Sequence, residues 1–143
     1  FVVMTSIRNS LNVFGYNPTT DDGLSGLTWP RDVDQILTKT MDMTKTTNTD
    51  WPSTPTNGTY LQGGITKAVN AGHIVILTVN INHFMGSSTW SITPDHYIQV
   101  TGITENPDGT INVSWWSWGK NQTPKKMTKE QLYKSTYFYA SFE

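Results

Sequence analysis

His96 follows Pro94 and Asp95 directly, at the point where a loop delivers the chain into an apolar strand over residues 97–103. A sheet-based enzyme commonly keeps its base at such a strand mouth, and an imidazole titrates near neutrality without assistance. The same placement also suits a histidine that packs and hydrogen-bonds at a sheet edge. His73 and His83 read as structural or surface residues. His83, Asp95 and His96 are suitable zinc ligands by type, but their spacing matches no metal motif, so no metal site is expected. Thr5 and Ser6 would be hydroxyl nucleophiles only if brought beside His96, and both are accounted for as residues that start a helix. The chain has no cysteine. A thiol nucleophile, a disulfide framework and a thiolate metal site are therefore all excluded in this chain.

Trp115, Trp116 and Trp118 form a second group of interest, with Tyr97 on the preceding strand as a further binding candidate. Exposed indoles stack on flat apolar faces, which would suit a carbohydrate or a peptide. Strand alternation puts Trp116 and Trp118 on one face and Trp115 on the other, so at least one should belong to the core.

The elements that must position these residues are legible along the chain. Residues 4–14 carry Met4, Ile7, Leu11 and Phe14 at helical spacing and end at Gly15. Residues 16–30 are turn-rich but keep Leu24, Leu27 and Trp29 as anchors. A second helix is expected from Pro30, with Val33, Ile36, Leu37 and Met41 as its stripe. Residues 45–58 are polar and rich in Pro and Thr, with Trp51 alone among them as an aromatic. Leu61, Ile65, Ala68 and Val69 predict a helix over 60–70 that stops at Ala71-Gly72 and delivers the chain into a strand over 74–79. Residues 83–95 read as a loop, a common setting for binding and chemistry. The Asp108-Gly109 pair predicts a hairpin from the strand over 97–103 into one over 111–118. Residues 120–126 look turn-like, 128–133 form a capped helical turn or two, and 137–142 alternate as an edge strand.

At 143 residues, with a net charge of −1 and 15% charged residues, the chain fits a single domain over residues 1–143. This charge balance gives no footprint for nucleic acid, and no window approaches the ~20 apolar residues of a membrane span. The richness in Thr, Asn, Ser and Trp favours strands and loops and leans toward export, hence a secreted or cell-surface setting. Sequons at Asn57, Asn112 and Asn121 would matter only in a eukaryotic secretory pathway. The chain opens at Phe1 inside an apolar triplet, without an initiator Met, so a longer precursor with flanking domains is expected.

Three segments, in order, resemble papain-like cysteine peptidases, especially the bacteriocin-leader-processing branch and its extracellular bacterial relatives. The family's nucleophile segment, Cys-Gly-Pro-Thr-Ser-Leu-Ala-Met-Val-Leu-Asn-Tyr-Phe-Gly, is followed by Thr5-Ser6-Ile7 through Leu11-Asn12-Val13-Phe14-Gly15. Ala71-Gly72-His73-Ile74-Val75-Ile76 is similar to its later strand, and His96-Tyr97-Ile98-Gln99-Val100-Thr101-Gly102 to its histidine strand. The resemblance implies an α+β, papain-like cysteine-peptidase fold, with N-terminal helices packed on an antiparallel sheet of about four or five strands.

In that family a thiolate at a helix N-terminus works with an imidazole and a third polar group that fixes the ring. Carried over, the nucleophile position falls on Val2 and the base on His96. The third member falls near Trp115 or, counted without allowance for the hairpin, on Asn112; the oxyanion residue would precede Val2. The resemblance thus implies a pseudoenzyme: a cysteine-peptidase-like domain that needs no cofactor. It would bind an extended peptide or cell-wall peptide in a helix–sheet cleft walled by His96 and the Trp-rich strand. One alternative is an active peptidase or amidase whose nucleophile lies upstream or was removed. Another is a carbohydrate-binding module built on the Trp cluster.

Overall fold

The computed structural model describes residues 36–46, 58–87 and 94–143. Val2, Thr5, Ser6, the expected helix over 4–14, the loop over 16–30 and Trp51 lie outside the described residues.

Helix α1, Gly58–Asn70, buries Leu61 and Ile65, the stripe its 3.6-residue spacing predicts. It ends where Gly72 turns left-handed at φ +80, and the amides of Gly72 and His73 close back onto Val69 and Ala68. That cap aims the chain straight into β1, Ile74–Val79. β1 lies inside the sheet, between β2 (His96–Glu105) and β6 (Thr136–Phe142), and five of its six residues are buried. Burial on both faces explains why β1 reads as an unbroken apolar run instead of an alternation.

β2 turns through Asn106–Thr110 into β3, Ile111–Ser117. Two short strands follow, β4 (Lys120–Asn121) and β5 (Lys125–Met127), both paired to β3. The result is an open, six-stranded, antiparallel sheet in the order β4-β3-β2-β1-β6, with β5 beside β3. Residues 120–126 were expected to be turn-like. Their pairing is imposed by β3, and only Met127, at 3% exposure, anchors them to the core.

Two further short helices, α2 (Ile81–Phe84) and α3 (Lys129–Ser135), complete the described elements together with one π-helical turn, Ile36–Thr40. Thr128 caps α3 through Gln131 N at 3.0 Å, as the sequence predicts. α2 shares only its last two residues with the stretch over 83–95 that was read as a loop. Asn80 caps it through His83 N at 3.0 Å, and fully buried Phe84 pins it to the core.

The sheet has two apolar faces. On one, Val75, Leu77, Val79, Ile98, Val100, Val113 and Trp115 pack with Leu61, Ile65, Phe84 and Leu132 of the helices. On the other, Ile76, Ala140 and Phe142 pack with Leu37, and Tyr97 and Phe138 lie partly buried against them. Residues 44–46 run beside the end of β6, where Thr44 exchanges backbone bonds with Glu143 and Thr46 N donates to Ser141 O at 2.8 Å. The architecture is thus α+β with an open antiparallel sheet. Among the described residues no helix is long and apolar enough to cross a membrane.

Candidate functional site

The mouth of β2 is fixed before any side chain is considered. Val79 pairs with His96, the amide of Asp95 donates to Val79 O at 3.0 Å, and Asp95 Oδ1 accepts from Ile81 N at 2.9 Å. His96 is therefore held by β1 on one side and tied through its neighbour to α2.

A bulge between Val100 and Gly102 decides which way His96 faces. β3 keeps strict alternation, with Ile111, Val113 and Trp115 all in the helix-side core. On β2, Ile103 joins that core, and so do Val100 and Ile98, which have the opposite parity. The extra residue in β2 switches the face, so His96 looks toward the helices and Tyr97 away from them.

Ser117 ends β3 on the same face as Trp115, at 1% exposure. Its Oγ lies 2.5 Å from His96 Nε2. The next two residues, Trp118 (φ +48) and Gly119 (φ +81), form a left-handed two-residue turn between the paired residues Ser117 and Lys120. Such a turn matches strand twist, but a tryptophan in it sits in a backbone region that costs roughly 1–2 kcal/mol for a side chain bearing Cβ.

The Trp118 ring lies against His96 with centroids 4.7 Å apart and a 31° tilt. It also meets Trp115 edge-on at 5.9 Å, and Trp115 meets Phe84 at 5.0 Å. Gln122 Nε2 donates to Ser117 O at 2.7 Å, and Trp115 Nε1 donates to Thr123 O at 3.1 Å, so the end of β3 is held from the side as well.

Burial lowers the pKa of His96, and the neighbouring Asp95 carboxylate opposes that shift. The ring is thereby biased toward the neutral form. Its partner carries no charge: the Ser117 hydroxyl can donate to Nε2 or accept from it, so it neither selects a tautomer nor stabilises an imidazolium as strongly as a carboxylate would. Among the described residues Nδ1 has no hydrogen-bond partner. Chemically, the pair offers a neutral, oriented imidazole nitrogen beside an exposed indole.

Of the residues singled out from sequence, the structure gathers His96, Trp115 and Trp118 at this end of the sheet. Asn112 is not part of it. It pairs with Thr104, eight positions along β2 from His96 or ~26 Å at strand rise, and its Nδ2 donates to Asn106 Oδ1 at 3.1 Å. Tyr97 packs on the other face against the Leu37 cluster. Trp116 is only 4% exposed and pairs with Gln99, also away from His96. Trp116 and Trp118 were expected to share a face. They do not, because Trp118 has left the strand for the turn and rests on Trp115 and His96 instead. Ser117 was missed; its signal was its position two residues beyond Trp115, on the same face of an alternating strand. Among the described residues no three of His, Cys, Asp and Glu gather as a metal would require, so His83, Asp95 and His96 are not one cluster.

Comparison with protein-family models, curated proteins and solved structures finds no match to this chain.

Proposed function

We propose that this chain is a papain-like, cysteine-peptidase-like domain of a secreted or cell-surface bacterial protein, and that it binds an extended peptide or cell-wall peptide without cleaving it. The observation that carries this reading is the pairing of His96 Nε2 with Ser117 Oγ at the end of the adjacent strand. A histidine opening the second strand, fixed by a polar group at the end of the third, is the relation the family resemblance calls for. In this chain the third group is a hydroxyl rather than a carboxylate or amide.

The same pair argues against cleavage. There is no thiol, and Ser117, at 1% exposure, is too sheltered to reach an acyl carbon. A neutral imidazole with one nitrogen engaged can still hydrogen-bond a peptide amide through the other.

The test is a titration of isotope-labelled protein with blocked pentapeptides, followed at the His96 ring and the Ser117 amide. Saturable shifts at both, weakened at least tenfold by His96→Ala, are expected; a peptide set that moves neither signal overturns peptide binding. The family relation has its own test. In a Val2→Cys, Ser117→Asp double variant the new thiol should be alkylated by iodoacetamide at pH 6 at least tenfold faster than free cysteine, and adding His96→Ala should remove the excess. A rate equal to that of free cysteine would sink the relation.

A further inference from the structure

We infer that Trp118 selects the ligand of this site, by receiving an aromatic side chain of the bound peptide on its open face beside His96; this rests on the peptide-binding reading above. Three independent observations lead there. Trp115 and Trp116 are 2% and 4% exposed, whereas Trp118 is 60% exposed, so one indole of the three is presented to solvent. That indole is carried at φ +48 in a turn where glycine or asparagine would fit without strain, and non-glycine residues held in this region cluster at ligand sites. Its orientation is fixed from beneath by His96 at 4.7 Å and from the side by Trp115 at 5.9 Å.

A ring already immobilised on one face gives up little conformational freedom when a second ring stacks on the other. The surroundings favour an aromatic peptide residue over a sugar. Ser117 Oγ and His96 Nε2 are engaged with each other and Asp95 Oδ1 with Ile81 N, so of the His96 ring only Nδ1 is left for a ligand, which suits one peptide amide better than the several hydroxyls of a sugar.

The experiment titrates the protein with acetyl-Ala-Ala-Xaa-Ala-Ala-amide, where Xaa is Trp, Ala, Lys or Glu, and reads the Trp118 indole N–H and the His96 ring. Chitotetraose serves as the glycan probe. The Trp peptide is expected to bind at least tenfold more tightly than the Ala peptide and to move both signals. Trp118→Gly, which suits the left-handed turn and keeps the fold, should erase the preference, and Trp118→Tyr should retain most of it. Equal binding of all four peptides with shifts at His96 overturns the role of Trp118 and leaves peptide binding standing. Movement of Trp118 by chitotetraose, with no response to any peptide, overturns both and turns the site over to a glycan. No response to any probe likewise overturns both.

Discussion

β3 is closed by a turn at each end, and the two turns solve the same geometric problem differently. At the near end, Gly109 adopts φ +86 with open space where a Cβ would stand. The polar groups around it are satisfied within five residues. Asn106 N donates to Thr110 O at 2.8 Å, Gly109 N to Asn106 O at 3.0 Å, and Thr110 N to Asp108 Oδ1 at 3.0 Å. The Thr110 bonds, with help from Lys126, hold Asp108 below the usual carboxylate range. At the far end the first of two left-handed positions, before Gly119, is taken by Trp118, and its contacts run to His96 on β2 and Trp115 on β3. A turn built from glycine and local bonds is a connection. A turn that accepts strain to hold an exposed indole over a histidine is the candidate site.

This contrast can be broken or sharpened by substitution. The largest effect should come from Trp115→Ala, which removes the buried ring linking Phe84 to Trp118. About 3–5 kcal/mol of stability should be lost in urea unfolding, and a loss under about 1 kcal/mol would mean that the far end is not built on the core. Gly109→Ala should cost about 1–2 kcal/mol through backbone strain alone, since nothing stands near the added methyl.

A gentler dependence is expected on pH. The fold holds His96 below the value of about 6.5 that the unfolded chain would show. Above that pH both states are neutral and nothing is lost. As pH falls through it the unfolded chain takes up its proton first, so stability declines until the folded-state pKa is passed, and then levels off. His96→Gln should flatten this part of the urea-midpoint profile between pH 7.5 and 5, and an unchanged slope would mean that His96 does not carry it.

Trp118→Gly should have the smallest effect on stability, within about 1 kcal/mol of wild type, because relief of the left-handed strain offsets the lost ring contacts. A large loss there would make Trp118 a structural residue and erase the distinction between the two turns.

Much of the frame was written locally. The unbroken run Ile74–Val79, the Asp108-Gly109 hairpin, the stripe of Leu61 and Ile65, the Ala71-Gly72 stop and the Thr128 cap are each signalled by residues within a short stretch of chain, and each is where the sequence put it. The absence of cysteine likewise settled, from sequence alone, that no thiol of this chain can act. The composition of the site was decided elsewhere. Local pattern did not show that β3 would draw Lys120–Asn121 and Lys125–Met127 into strands, because the partner supplies the pairing. Nor did it show the bulge between Val100 and Gly102. A strand has period two, so that one extra residue reverses every face beyond it, bringing His96 rather than Tyr97 onto the side of Ser117. The sequence determined that a histidine would open β2; the register between two strands determined what it would meet.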